Sequence, residues 1–229
     1  MVSAKRSTSA SDLLIQSSVT IAMIFAALLL GDLIHPWDTK ISLSIVDAGN
    51  SVPIVFKISG IWLVLGAISM AYLLFGWRML PAVFIGFHAA AFFVFEWAIN
   101  PFALSEKGNI QILAWPNHMH ALITTLGPLA AIYTMRIFKI SKFLEGKKLI
   151  FQHVVFLIIL AAFYNTFTKF FIDTTFRLWI GLLPRGDEAT YIPAMLIGDL
   201  TGGIVFIFIL TLVVVPIIQL FVPSTMSEK

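Results

Sequence analysis

Long apolar runs, rather than an alternation of apolar and polar residues, set the pattern of this chain. A transmembrane helix needs about 20 mostly apolar residues to cross roughly 30 Å of hydrocarbon. Six stretches of the sequence meet that requirement. They run from about Leu13 to Ile34, Ile58 to Phe75, Leu80 to Ile99, Ile112 to Phe138, Leu149 to Leu182 and Tyr191 to Phe221. The pattern predicts an all-α fold, a polytopic integral membrane bundle of about six transmembrane helices, with residues 1–229 forming a single transmembrane domain.

Two segments leave a count of six to eight helices open. The stretch from Ile41 to Phe56 is interrupted by Asp47, Asn50 and Pro53, which favours an interfacial or re-entrant piece. The fifth stretch has 34 residues. At about 1.5 Å per residue it is too long for one perpendicular crossing. We expect it to tilt, break or project from the membrane.

The basic residues predict the orientation of the chain, because cytoplasmic loops carry an excess of Lys and Arg. An N terminus inside the cell places nine of the 15 basic residues on the cytoplasmic side. They are Lys5, Arg6, Arg78, Arg136, Lys139, Lys142, Lys147, Lys148 and Lys229. Both termini are then cytoplasmic, with short tails over residues 1–12 and 222–229.

Composition excludes several classes of protein. The chain is 59% hydrophobic and 12% charged, with a mean hydropathy of +0.95, whereas soluble domains are about 25% charged. This excludes a soluble enzyme and a nucleic-acid-binding domain, and leaves the lipid bilayer as the surrounding medium. The absence of Cys removes disulfides and thiolate nucleophiles. We find no catalytic motif and expect no enzymatic activity.

Several glycine, arginine and proline motifs resemble the MASE1 family of bacterial membrane-associated sensor domains. The motifs are Gly76-x-Arg78-x-x-Pro81 before Phe84-x-Gly86, Leu126-Gly127-Pro128 before Arg136, and Gly198-Asp199-x-x-Gly202 before Pro216. The similarity runs from about Gly60 to Gln219, and the spans before Gly60 do not match well. The resemblance implies a sensor in the bacterial cytoplasmic (inner) membrane, and members of the family usually signal as dimers.

We expect no output domain after Lys229, and the loop from Lys139 to Lys148 has only ten residues. We therefore expect a stand-alone sensor domain that binds a small ligand or a partner helix and regulates another membrane protein. Two alternatives stay open. One is a transport module, such as a substrate-binding subunit or small permease, and the other is an accessory or scaffold subunit of a membrane complex. A homodimer is also open.

Asp199 is the first candidate for a ligand-binding site. A charged side chain at the centre of a membrane helix costs about 2.5–3.5 kcal/mol on insertion scales, so it is a functional candidate by default. It lies beside Gly198, Gly202 and Gly203, where helices approach closely. The structural alternative is a packing acid that is hydrogen-bonded to a neighbouring helix.

A polar stripe on the fifth helix provides further candidates. Asn165, Lys169, Asp173 and Arg177 recur every four residues and therefore share one face. The functional interpretation is one wall of an outward-facing cavity for an anionic or zwitterionic ligand. The structural alternative is a self-neutralising ladder of ion pairs.

His88, Glu96 and His118 complete the candidate ligand-binding residues. His88 and Glu96 are eight residues apart on one face of the third helix. A buried His near a carboxylate titrates near physiological pH when its environment is suitable. His118 and His120 differ by about 200° around a helix, so one metal ion does not suit both. We assign no metal site, and the sequence identifies no cofactor.

Overall fold

A computed structural model describes residues 9–33, 39–47, 50–58, 61–95, 104–107, 110–113, 115–140, 151–179 and 188–214. Six α-helices lie in these ranges. They are α1 (Ala10–Leu33), α2 (Leu63–Phe75), α3 (Leu80–Phe95), α4 (Trp115–Ile137), α5 (Phe151–Trp179) and α6 (Glu188–Ile209). A π-helical turn, Leu210–Val214, continues α6. The predicted helical bundle is confirmed.

In the described ranges, four stretches of helix are long and apolar enough to cross a membrane, which indicates a membrane protein. They are Ala10–Gly31, Trp77–Val94, Phe151–Ile172 and Ile192–Leu212. Helix α2 is apolar but has only 13 residues. Helix α4 has 23 residues but carries many polar side chains. The structure therefore supports four spans by length and composition, and the count of about six is not confirmed.

Two antiparallel hairpins join helices in places where the sequence pattern gave no strand prediction. Strands β1 (Thr39–Asp47) and β2 (Asn50–Ile58) pair with each other, and so do β3 (Leu104–Lys107) and β4 (Ile110–Leu113). The stretch from Ile41 to Phe56 lies within the first hairpin. It therefore adds no seventh helix.

Helix α5 continues without a break from Phe151 to Trp179. The sequence predicted that this segment tilts, breaks or projects from the membrane. The structure excludes a break within the described range of α5. Its 29 residues extend about 43 Å at helical rise. This length exceeds the hydrocarbon thickness of about 30 Å, so α5 tilts or projects beyond the membrane.

Helix α2 lies at the centre of the bundle. Its ten consecutive residues from Leu63 to Tyr72 are all buried. A helix that is apolar on all sides belongs inside a protein or a membrane, and α2 contacts α1, α4, α5 and α6. Tyr72 also donates a hydrogen bond across the bundle to the carbonyl oxygen of Thr125, at 3.1 Å.

A tight turn joins α2 to α3. Gly76 has a φ of 81°, a left-handed conformation that glycine adopts without steric cost. The 3₁₀ turn Trp77–Met79 follows, and Arg78 on it is exposed. Pro81 is the second residue of α3, where a missing backbone N–H is tolerated because first-turn N–H groups have no partner within the helix.

Helices α2 and α6 approach so closely that their backbones touch. The backbone N–H of Trp62 donates to the carbonyl oxygen of Gly198, at 2.9 Å. A Cβ atom on Gly202 would lie 2.2 Å from the carbonyl carbon of Trp62, and one on Gly66 would lie 2.7 Å from Cβ of Phe206. These glycines therefore pack α6 against α2 within one chain.

Candidate functional site

A buried polar cluster lies between α5 and α6. It consists of Asn165, Thr166 and Lys169 on α5 and Asp199 on α6. The apolar span of α5 ends at Ile172, and Asn165 lies seven residues before that end. The apolar span of α6 begins at Ile192, and Asp199 lies seven residues after that start. At the rise per residue of an α-helix, seven residues place both Asn165 and Asp199 about 10 Å inside the ends of their spans. The cluster therefore lies at membrane depth.

Two side chains of α5 hold one oxygen of the Asp199 carboxylate. The side-chain amide of Asn165 donates from Nδ2 to Oδ2 at 2.7 Å, and the hydroxyl of Thr166 donates to the same Oδ2 at 3.1 Å. Asn165 and Thr166 are fully buried, and Asp199 is 2% exposed. Both hydrogen bonds end on Oδ2, so neither occupies Oδ1.

Lys169 supplies the countercharge without a direct ion pair. Its ammonium group attracts the Asp199 carboxylate electrostatically, and the side chain is only 5% exposed. Among the side chains that the structure describes, Lys169 has no hydrogen-bond or ion-pair partner. An ammonium group has three N–H donors, and no described side chain accepts from those of Lys169.

Asn165 has an unmet acceptor in the same cluster. Its Oδ1 is buried and has no hydrogen-bond partner among the residues that the structure describes. Most buried polar atoms in proteins do have a partner, and each exception calls for an explanation. The cluster therefore offers donors on Lys169 and an acceptor on Asn165 that the described chain leaves unmatched.

The structure brings together three of the residues that the sequence predicted at this site. Asn165, Lys169 and Asp199 lie in one cluster. Asp173 and Arg177 are on α5, but their side chains lie outside the described residues. Thr166 was not predicted. Its spacing of three from Lys169 on a helix is the signal that could have found it.

A second polar contact joins α3 to α4. His88 Nε2 lies 3.2 Å from His118 Nδ1, and His88 Nδ1 lies 2.9 Å from the carbonyl oxygen of Phe84. A carbonyl only accepts, so Nδ1 of neutral His88 carries the proton and its Nε2 accepts from His118. Glu96, the predicted partner of His88, lies outside the described residues. No group of three metal-ligating side chains occurs in the described part.

The chain was also compared with known proteins. No family model, no curated protein and no solved structure matches it. The resemblance to MASE1 sensor domains stays a prediction that rests on the sequence motifs.

Proposed function

We propose that this chain is a membrane-embedded sensor or receptor-like module that binds a small ligand or a partner helix between α5 and α6. Through that binding it regulates another membrane protein. The proposal includes six membrane crossings, both termini in the cytoplasm and a bacterial inner membrane. The α5–α6 cluster then faces the outer side, because α5 ends and α6 begins there.

The incompletely satisfied cluster is the observation that carries this proposal. A buried polar network that only stabilises a fold is expected to satisfy all its members, since each unmet group costs free energy. Here the buried amide oxygen of Asn165 has no partner among the described residues, and no described side chain pairs with Lys169, which is 5% exposed. A ligand that meets both groups would form hydrogen bonds with them.

Close backbone contacts offer a path from the cluster to the cytoplasmic side. Asp199 is flanked by Gly198, which accepts the Trp62 N–H at the start of α2. A ligand that moves α6 against α5 would therefore move α2. Helix α2 ends at the Gly76 turn, beside the exposed Arg78, so the shift would reach a surface available to a partner protein.

A crosslinking experiment in the native membrane tests the proposal. A photo-crosslinking amino acid at exposed Trp77 should capture a membrane partner, and Asp199→Asn should change the yield. Thr175→Ala is the matched control, because Thr175 is an exposed residue on α5 that bonds only to the carbonyl of its own helix. A capture yield that Asp199→Asn leaves unchanged would count against sensing.

A transport module is the second candidate, and the start of α2 favours it. Trp62 is bonded to Gly198, six residues into the α6 span, so α2 begins about 9 Å inside the membrane. Helices that start within the membrane beside polar groups are typical of transporters. A flux assay with the purified protein in liposomes separates transport from the other candidate functions. Flux of a solute or proton that Asp199→Asn abolishes would establish transport, and neither flux nor regulation would leave a scaffold.

A further inference from the structure

We propose that the α5–α6 cluster binds the ammonium and carboxylate groups of a zwitterionic small molecule of the α-amino-acid class. This inference rests on the proposed function, since it names the ligand class of the same site. It follows from which polar atoms of the cluster lack partners, and from the charge that the cluster carries.

The acceptor half of the site consists of oxygen atoms. Within the described part of the chain, no donor reaches the buried Asn165 Oδ1, and the two hydrogen bonds to Asp199 both end on Oδ2. Asn165 and Asp199 already contact each other at 2.7 Å. A ligand ammonium group can donate N–H hydrogen bonds to both the amide oxygen of Asn165 and the carboxylate of Asp199. Its positive charge also attracts Asp199.

The donor half of the site is Lys169. It lies one helical turn beyond Asn165, towards the end of α5, and its ammonium group has no described partner. A ligand carboxylate accepts from such a group and complements its charge. The flexible stem of lysine lets the ammonium move towards the membrane surface, which would make room for a ligand between Lys169 and Asn165.

Net charge selects a zwitterion over a simple ion. Among the described side chains of the cluster, the charges of Lys169 and Asp199 cancel, and both residues are nearly fully buried. A monovalent anion or cation would leave an uncompensated charge at membrane depth, which is strongly unfavourable. A zwitterion keeps the site neutral and places each of its charges beside the opposite one.

Thermal unfolding of the purified full chain in lipid nanodiscs tests this inference with four probes. L-alanine and L-leucine carry both charged groups, whereas propionate lacks the amine and glycine betaine lacks N–H donors. At least one of the two amino acids should raise the Tm in a concentration-dependent manner. Propionate and glycine betaine should bind weaker by about tenfold or more, because buried groups of the site stay unmatched.

Two variants assign any Tm shift to the cluster. The double variant Lys169→Met with Asp199→Asn removes both charges, keeps the site neutral and should abolish the shift. Thr175→Ala on the exposed face of the same helix should retain it. The inference is wrong if neither amino acid shifts the Tm, if propionate matches them, or if the double variant retains the shift.

These results can be separated from the outcome for the proposed function. Amino-acid binding together with amino-acid flux in liposomes would support the ligand class and overturn sensing. Regulation of a captured partner that depends on Asp199, without any shift by amino acids, would support sensing and overturn the ligand class.

Discussion

At the scale of residues, burying a charge in a membrane helix costs free energy. This cost explains why part of the candidate site could be identified from the sequence. Asp199, Lys169 and Asn165 stand out as polar side chains inside apolar runs, and the structure places them together. Contacts between different helices were less predictable. The pairing of His88 with His118, which are 30 residues apart, depends on how α3 and α4 pack, and no spacing in one helix encodes it.

The opposite charges of Lys169 and Asp199 should be energetically coupled. Lys169→Met leaves the Asp199 carboxylate buried without its countercharge, which we expect to lower the free energy of unfolding by about 3–5 kcal/mol. Adding Asp199→Asn should restore much of the loss, because an amide needs no countercharge. Thermal or denaturant unfolding of both single variants and the double variant measures this coupling as a double-mutant cycle. Additive effects would mean that the two charges do not interact.

At the scale of elements, helix α2 departs most from the sequence prediction. The apolar run from Ile58 to Phe75 predicted a span, but β2 extends to Ile58 and α2 begins only at Leu63. The hydropathy of the whole run did not reveal this start, because Ser59 and Gly60 are short interruptions in an otherwise apolar stretch. The 13 residues of α2 cover about 20 Å. From its start inside the membrane, this length brings α2 close to the opposite face.

The contact between α2 and α6 should not tolerate a methyl group at Gly202. A Cβ atom there would lie 2.2 Å from backbone carbon of Trp62, so the helices must separate. We expect Gly202→Ala to lower the free energy of unfolding by about 1–3 kcal/mol or more. The measurement is thermal unfolding of the purified variant.

Gly127→Ala is the matched control on another helix contact. Its Cβ would lie 3.5 Å from the nearest atom, the backbone nitrogen of Asn165, which is an ordinary van der Waals contact. Alanine is favoured over glycine within a helix by roughly 0.5–1 kcal/mol, so this variant should be neutral or slightly stabilised. If Gly202→Ala and Gly127→Ala lowered the free energy of unfolding equally, the close approach at Gly202 would not determine stability.

At the scale of the whole molecule, the described residues form six α-helices, of which only some contain an apolar stretch long enough to span a membrane. Helix α2 is enclosed by other helices, and α4 packs mainly against α5. Neither needs to face lipid on all sides, so neither needs the apolar composition of an isolated span. Sequence reasoning predicted a bundle of apolar helices, because each helix that the structure describes lies in an apolar run, whereas the predicted count of about six spans is not confirmed. It did not predict the two hairpins, since their residues lie in short polar-interrupted stretches.

The proposed orientation can be mapped with single cysteines, because the chain has none of its own. Lys142 and Gly186 lie outside the described residues, in the connections on either side of α5. If nine of the 15 basic residues face the cytoplasm, a membrane-impermeant maleimide should label Gly186→Cys in intact cells. It should label Lys142→Cys only after the membrane is permeabilised.

Ala26→Cys serves as the control for these labelling experiments. Ala26 is exposed on the surface of α1 but lies within an apolar span. A thiol in hydrocarbon forms little of the reactive thiolate, which is the nucleophile, so this position should stay unlabelled in both states. Labelling of Gly186→Cys and Lys142→Cys from the same side would mean that α5 does not cross the membrane. The α5–α6 cluster would then not face the outer side, and the proposed path of a signal from that side would fail with it.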